Sequence, residues 1–403
     1  YKQEEGVIYH ARDMAVVRAR LEQCPVVLAS ATPSLESYVN ASSGRYLWLK
    51  LQSRHGDAVM PAIRLVDLRQ TPAATGRWIS PPLEAALEMA LAQGEQAMLF
   101  LNRRGYAPLT LCGACGHKMV CRNCSAWLVE HRYHTKLACH HCGLEMLTPR
   151  RCPECNAENS LLPCGPGVER VAEEFAGLFP EARMAIASSD TMHGPKETQA
   201  AIRAMAKREI DVLIGTQIVA KGHHFPQLTL VGIVDADLGG QGGDLRAGER
   251  TFQLLHQVAG RAGRASKPGQ VLIQTRNPSD PVMQALASGD RDAFFARECE
   301  ARKRVSAPPF GRLAGLILSG HDGDAVRSAG QALARAVPIA RGVTVWGPTP
   351  AFYQLLRGRT RERLLVQAER SVDVQAFLRI WIARVKLQAN VRLTVDIDPV
   401  SFF

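Results

Sequence analysis

Short apolar runs alternate with amphipathic stretches over the middle of the chain. The apolar runs are five to seven residues long and show little polar alternation, which is typical of strands buried on both faces of a parallel sheet. Between them, stretches such as KETQAAIRAMAKRE carry apolar residues at helical spacing. The predicted strands are AMLFL (97–101), MAIAS (184–188), DVLIG (211–215), LTLVGIV (228–234) and QVLIQT (270–275). This alternation predicts an α/β fold with a parallel, doubly wound sheet.

The first part of the chain predicts a helix followed by another strand. In DMAVVRARLEQC, with Asp13 as the N-cap, apolar residues recur at helical spacing. The run PVVLAS (25–30) is short and apolar, as in a buried parallel strand, and it ends in the polar turn 30–34. We also expect the chain to be N-terminally truncated, because it opens at Tyr1 rather than at Met.

The pattern of apolar and polar positions changes after residue 278. We predict a helix in AFFARECEARKRV, a turn in APPFGR, and strands in VTVWG, RLLVQ and VRLTVDI, which together form an α+β domain. In LLRGRTRERLL, arginines alternate at Arg357, Arg359, Arg361 and Arg363. On a strand they would form a basic ridge with a spacing of about 6.6 Å, suited to nucleic-acid phosphates. The alternative is a solvated edge strand that resists aggregation.

The strand–helix alternation breaks once, and four CxxC pairs lie in that gap. Each pair can offer two thiolates to one tetrahedral ion, so eight sulfurs predict two closed Cys₄ zinc sites with a structural or DNA-facing role. Three pairings are possible, and the short loop between the first two pairs favours a nested one. The first site would then contain Cys112, Cys115, Cys152 and Cys155, and the second Cys121, Cys124, Cys139 and Cys142. An iron–sulfur cluster is the competing interpretation.

Length, composition and charge limit the classes of protein to which the chain can belong. The 403 residues, 46% of them hydrophobic, exclude intrinsic disorder and suggest several domains. The net charge of +11 favours a polyanionic partner. With no long uncharged apolar run and no signal-peptide pattern, we expect a cytosolic chain without membrane association. The predicted domains are the end of a first lobe (1–75), a second lobe (76–105 and 165–279), the metal module (106–164) and a C-terminal domain (280–403).

The sharpest single motif is QVAGRAGRA, residues 257–265. On a helix, Gln257, Arg261 and Arg264 would share one face, with glycines removing side-chain bulk beside them. Two guanidinium groups at one site suit the charge on a transferred γ-phosphoryl group. The alternative is a solvated basic helix face.

With this motif the chain resembles superfamily 2 helicases and, within them, the primosomal replication-restart helicases. The resemblance covers essentially the whole chain. It is carried by YKQEEGVIYHARD (1–13), SATPS (30–34), FLNRRGYAP (100–108), IGTQIVAKGHHFP (214–226), QVAGRAGRA and the eight cysteines. It implies helicase lobes of the RecA type, with an inserted zinc region that has the nested pairing.

The resemblance also implies roles for individual residues. Arg261 and Arg264 would be arginine fingers, with Gln257 beside the nucleotide. A second group, Gly215, Thr216 and Gln217, would couple the nucleotide to DNA. The residues expected to contact single-stranded DNA are Tyr1, Lys2, Tyr9, His10 and Arg12. Lys221, which follows the strand DVLIG, is expected to face the same cleft.

By resemblance, the parent would be an ATP-dependent 3′–5′ DNA helicase that recognises stalled or branched forks and initiates primosome assembly. Its cofactors would be two Zn²⁺ and ATP with Mg²⁺. Its partners would be branched and single-stranded DNA, primosome proteins and single-strand DNA-binding protein. We expect a monomer in the bacterial cytoplasm, associated with the nucleoid at forks.

The printed sequence contains no phosphate loop and no DExH box. We therefore expect this chain alone neither to hydrolyse ATP nor to unwind DNA. One alternative is a non-catalytic, zinc-containing DNA-binding scaffold. Another is a transcription or chromatin-remodelling motor, which would leave the eight cysteines unexplained.

Overall fold

A computed structural model describes most of the chain. The described residues are 2–3, 9–51, 60–101, 109–112, 114–123, 128–131, 136–139, 144–164, 167–187, 195–216, 225–237, 246–263 and 267–400. In chain order the elements are β1 (Lys2–Gln3), β2 (Tyr9–His10), α1 (Ala11–Leu21), α2 (Leu35–Ser42), β3 (Ala62–Asp67), α3 (Pro81–Ala92), β4 (Gln96–Leu101), β5 (Leu109–Cys112), β6 (Val129–His131), β7 (Lys136–Ala138), β8 (Glu145–Leu147), β9 (Leu161–Cys164), α4 (Val168–Leu178), β10 (Met184–Ala187), α5 (Pro195–Ala206), β11 (Val212–Gly215), β12 (Leu228–Asp235), α6 (Ala247–Ala259), β13 (Gln270–Thr275), α7 (Pro281–Ser288), α8 (Arg291–Arg304), β14 (Gly311–Gly320), α9 (Gly323–Arg335), β15 (Val343–Leu356), β16 (Arg359–Glu369), α10 (Val374–Ala383) and β17 (Arg392–Ile397).

The chain forms two compact units. The first unit contains Tyr1–Leu47, Val120–Ala126 and Arg297–Phe403, and the second contains Trp48–Met119 and Trp127–Ala296. In the described part of the chain, no helix combines the length and apolarity needed to cross a membrane.

The second unit is built on a six-stranded parallel sheet with the order β10-β11-β4-β12-β13-β3. The five strands predicted between residues 97 and 275 are all present, each within one residue of its expected ends. Strand β4 is buried at every position, as continuous apolar composition predicts for a central parallel strand. The predicted α/β fold with a parallel sheet is therefore confirmed.

One predicted strand is wrong, and one strand of the parallel sheet was not predicted. Residues 24–30 form no strand, and Val27 in that run is 86% exposed. Instead, AIRLVD (62–67) forms β3, which pairs in parallel with β13 at the edge of the sheet. An apolar run becomes a strand only where a neighbouring strand satisfies its backbone. The strand β3, placed in the first lobe by the sequence, thus belongs to the sheet of the second unit.

The core of the second unit lies between the sheet and helices α3 and α4. Gly232 of β12 allows the close approach of α3, because a Cβ atom there would lie 2.7 Å from Leu83 Cδ1. The buried Gln274 amide ties the segment before α3 to the sheet. Its Oε1 accepts from the Ser80 N–H, and its Nε2 donates to the Val234 carbonyl, both at 2.8 Å.

The first unit contains a four-stranded antiparallel sheet with the order β15-β16-β14-β17. Helices α9 and α10 supply the apolar side chains that cover one face, with Trp381 fully buried and its Nε1 donating to the Leu333 carbonyl at 2.9 Å. The strands and the helix predicted for the C-terminal domain are confirmed. Helix α1 also forms, but His10 rather than Asp13 caps it, its Nδ1 accepting from the Arg12 N–H at 3.2 Å.

The predicted ridge of four arginines is reduced to three. Arg359, Arg361 and Arg363 alternate along β16, while Glu362 between them is buried on the opposite face. Arg357 lies instead in the turn before β16, with a φ of 50°. The ridge therefore spans one strand and does not include the turn.

Candidate metal centre and nucleotide motif

Four cysteine sulfurs converge in the second unit. Cys112 ends β5, and the pair Cys152/Cys155 precedes β9, which pairs antiparallel with β5. The Sγ atoms of Cys112, Cys115, Cys152 and Cys155 all lie within 4.8 Å of one another. The distances are 3.6 Å from Cys112 to Cys155 and 3.7 Å from Cys115 to Cys152. A tetrahedral ion with bonds of about 2.3 Å requires sulfurs about 3.8 Å apart, so this set fits zinc. The structure brings together the four residues that the nested pairing predicted.

The two CxxC turns of this centre have the same backbone geometry. The Cys112 carbonyl accepts from the Gly116 N–H at 2.8 Å, and the Cys152 carbonyl accepts from the Asn156 N–H at 3.0 Å. Both donor residues have the left-handed backbone conformation, with φ values of 74° for Gly116 and 60° for Asn156. Glycine and asparagine tolerate this conformation best, so the residue after each second cysteine was a signal that the sequence reasoning missed.

Ser160 was also missed, because nothing in the spacing of the cysteines indicates it. The Ser160 Oγ lies 3.1 Å from the Cys112 Sγ. This hydrogen bond is the main cause that lowers the pKa of the Cys112 thiol to about 6. For Cys115, the hydrogen bond from the His117 N–H lowers the pKa of the thiol. Contact with the Cys155 sulfur and burial act in the opposite direction and together outweigh it, so the pKa of Cys115 is raised to about 12. Metal binding must therefore displace protons from some of these thiols.

The second predicted set of ligands is only partly described. Cys121 and Cys139 are both buried, at 2% and 1% exposure. The Cys121 Sγ accepts from the Asn123 N–H at 3.3 Å, and the Cys139 N–H donates to the Leu144 carbonyl at 2.8 Å. Cys124 and Cys142 lie outside the described residues, so the second site stays a prediction.

The arginine motif does not continue as a helix. Helix α6 ends at Ala259, Gly260 caps it, and Arg261 lies in the following turn, its N–H donating to the Val258 carbonyl at 3.0 Å. Gln257 is exposed on the helix, whereas Arg261 is 7% exposed. The predicted common helical face is therefore wrong for these two residues. The cause is the chain reversal at the two glycines, and Arg264 lies outside the described residues.

Gly263 anchors the turn that follows Arg261. It has a φ of 65°, and its N–H donates to the Leu228 carbonyl at the start of β12, at 3.1 Å. A Cβ atom at Gly263 would lie 2.6 Å from the Gly269 nitrogen. Only glycine allows this close approach between the turn and the strand that follows.

Of the predicted coupling residues, Gly215 ends β11 and Thr216 follows it, buried, with its N–H donating to the Ala187 carbonyl at 3.2 Å. They lie at the carboxyl end of their strand, whereas the Arg261 turn is bonded to the amino end of β12. The structure therefore does not bring Thr216 and Arg261 to one edge of the sheet. Gln217 and Lys221 lie outside the described residues.

Most of the predicted DNA-contacting residues of the first unit already form hydrogen bonds or ion pairs within the chain. The Lys2 Nζ lies 2.6 Å from both carboxylate oxygens of Asp396, and the Arg12 Nε lies 2.8 Å from Asp13. Burial and then the Arg12 charge lower the pKa of His10, which favours its neutral, capping form. Tyr9 is 40% exposed, and Tyr1 lies outside the described residues. Two of the predicted cations thus already have carboxylate partners.

The described structure combines a six-stranded parallel α/β sheet, a four-cysteine metal centre and a four-stranded antiparallel sheet in the C-terminal part of the chain. Three family models match the chain in agreement with this. They are the Primosomal protein N C-terminal domain (303–400), the Helicase conserved C-terminal domain (167–266) and the PriA DNA helicase Cys-rich region (CRR) domain (121–146).

Curated relatives extend the similarity to the whole chain. The replication restart protein PriA of Rickettsia felis is 43% identical over 403 residues, covering 100% of this chain and 62% of the relative. The PriA of Bacillus subtilis is 37% identical over 99% of this chain and 50% of the relative. The chain is therefore similar to the replication restart proteins PriA along its whole length. It spans between half and two thirds of the length of these two relatives.

Among solved structures, S. cerevisiae Dbp5 bound to RNA and ADP BeF3 matches with 14% identity and a TM-score of 0.35. The match covers 72% of this chain and 58% of that one. At this TM-score the similarity adds nothing about function.

Proposed function

We propose that this chain comprises the end of the first lobe, the second lobe, the zinc module and the C-terminal domain of an ATP-dependent 3′–5′ DNA helicase. The enzyme would recognise stalled or branched replication forks and begin replication restart by primosome assembly. The observation that supports this most strongly is that the Cys₄ centre and the arginine motif occur in one chain similar to PriA along its whole length. Cytoplasmic action at forks and a monomeric state belong to the same proposal, as do single-strand DNA-binding protein and the primosome proteins as partners.

In this proposal, Arg261 and Arg264 stabilise the charge that develops when the γ-phosphoryl group of ATP is transferred. ATP with Mg²⁺ supplies the free energy for translocation. A guanidinium group remains charged and donates in a bidentate fashion, which suits phosphate oxygens. Arg261 is 7% exposed, in a turn anchored by Gly263. Burial already restricts the rotamers of such a side chain, so it would lose little further conformational freedom on meeting the phosphate.

The thiolates Cys112, Cys115, Cys152 and Cys155 would hold one zinc ion, which cross-links their two CxxC turns. Four sulfurs complete the tetrahedral coordination and leave no position for a reacting water. The role of the centre is therefore structural.

The test of the motor function is Arg261→Ala in the full-length protein. We expect ATP turnover to fall by about 10³-fold, as for the loss of an arginine finger, with fork binding retained. Arg203→Ala, which removes an exposed arginine of α5 in the same unit, is the control and should leave turnover unchanged. Near-normal turnover in Arg261→Ala would contradict the assignment.

The test of the metal proposal is elemental analysis of the purified chain. We expect two zinc ions per chain, and one in Cys115→Ser, since that variant removes a ligand from the first site alone. One zinc or none in the unaltered protein would contradict the two-site assignment.

A further inference from the structure

Strands β15 and β16 of the first unit are joined by a two-residue turn, Arg357–Gly358, which we call the hairpin tip. The strand pairing closes at Leu356 and Arg359, and the two tip residues have φ values of 50° and 73°. Two positive φ values in succession define a type I′ turn. In such a turn the N–H of the second residue takes no part in the ladder of strand hydrogen bonds. The Gly358 N–H is therefore available to a group outside the hairpin.

That group belongs to the Cys-rich region. The Gly358 N–H donates to the Asn123 carbonyl at 2.9 Å, and the Gly358 carbonyl lies 3.1 Å from the His321 Nδ1. Residues Val120–Ala126 are part of the first unit, although the rest of the described Cys-rich region is part of the second. The peptide groups of the hairpin tip are thus held from two sides within one unit.

Asn123 also contacts a predicted metal ligand. Its N–H donates to the Cys121 Sγ at 3.3 Å, and Cys121 is 2% exposed. Backbone N–H groups that donate to a metal-bound thiolate are part of the CxxC turn, so the sulfur orients the peptide before Asn123. The next peptide presents the carbonyl that accepts from Gly358. A single residue therefore connects the Cys121 sulfur to the hairpin tip.

We propose that the Cys121 turn is the docking site of the hairpin tip, and that metal binding by Cys121 holds the Asn123 carbonyl in place to accept from Gly358. Without the metal, the turn has no cross-link to fix it, and the hairpin tip loses its partner. The occupancy of this site thereby controls the order of the C-terminal sheet at one corner. The inference rests on the proposed metal binding by Cys121 and not on helicase activity.

The test is backbone hydrogen–deuterium exchange at the Gly358 amide, resolved to single residues, in the full 403-residue chain. The chain is compared with Cys121→Ser, and Cys112→Ser is the matched control that removes a ligand from the other site. Zinc content is measured for each protein. We expect each variant to lose one zinc. In Cys121→Ser the Gly358 amide should exchange faster by about tenfold, and in Cys112→Ser it should remain within about twofold of the unaltered chain.

Three results would overturn the inference. If Cys121→Ser loses zinc but Gly358 exchange is unchanged, the docking role fails while the metal proposal stands. If Cys121→Ser retains all its zinc, the metal assignment of Cys121 fails as well. If amides throughout β14 and β16 exchange faster together with Gly358, the metal supports the whole sheet rather than its tip. Reloading chelator-treated protein with zinc should restore the slow exchange of Gly358.

Discussion

Replacing Gly263 by alanine tests whether the turn after Arg261 is built on a close backbone approach. In the structure, Gly263 has a φ of 65°, and an added Cβ would lie 2.6 Å from the nitrogen and 3.0 Å from the Cα of Gly269. Both contact atoms are backbone, so they cannot move aside as a flexible side chain would. The turn must shift and weaken the hydrogen bond from the Gly263 N–H to Leu228.

Two contributions set the size of the effect. A left-handed conformation costs a residue with a Cβ about 1–2 kcal/mol. Overpacking by one methyl group costs a further 1–3 kcal/mol, so Gly263→Ala should lower the free energy of unfolding of the second unit by about 2–5 kcal/mol. A smaller conformational entropy of the unfolded chain offsets about 0.4–1 kcal/mol of this.

Two control variants separate these contributions. Gly289 has a φ of 68°, but no atom lies within 4 Å of the position that a Cβ would take. Gly289→Ala therefore reports the conformational cost alone. Gly269→Ala would place its Cβ 2.5 Å from the Gly263 nitrogen and reports mainly the clash. The assay is urea-dependent hydrogen exchange of peptides that cover β12 and β13, because a chain of two units need not unfold in one step.

The expected order of destabilisation is Gly263→Ala, then Gly269→Ala, then Gly289→Ala. Equal effects for Gly263→Ala and Gly289→Ala would refute the close approach, since only the shared conformational cost would remain. A neutral Gly269→Ala would refute it independently.

Two further predictions concern the metal centre and a surface ion pair. Ser160→Ala removes the hydroxyl that lies 3.1 Å from the Cys112 sulfur, and a hydrogen bond from this hydroxyl to the charged, metal-bound thiolate would contribute about 1.5–3 kcal/mol. Zinc should therefore transfer to a chromophoric chelator at least about tenfold faster, and an unchanged rate would count against the bond. The pKa of Asp211 is lowered, chiefly by its hydrogen bond from Arg183. The ion pair thus stabilises the fold above the unfolded pKa of about 3.9, and this is lost as the pH falls through the lowered folded pKa. Asp211→Asn should lower the urea midpoint at pH 7, and its difference from the unaltered chain should shrink below about pH 4; a difference independent of pH would contradict the assignment.

Several features of the fold are readable from local composition. The five central strands are continuous apolar runs because both faces of a parallel sheet are covered. Four CxxC pairs indicated metal binding because few other functions require that spacing. The nested grouping of Cys112, Cys115, Cys152 and Cys155 also followed from the short loop that separates the first two pairs, and the sulfur positions agree with it.

The features that the sequence did not reveal depend on partners distant along the chain. PVVLAS has the composition of a strand but no pairing neighbour in the described structure, whereas AIRLVD pairs with β13, more than 200 residues later. Ser160 could not be recognised, because only folding brings its hydroxyl within 3.1 Å of Cys112. Gln257 and Arg261 differ in burial because Gly260 ends the helix between them. Local propensity sets which segments can become helices or strands, while pairing, burial and close approach require atoms that the chain supplies from elsewhere.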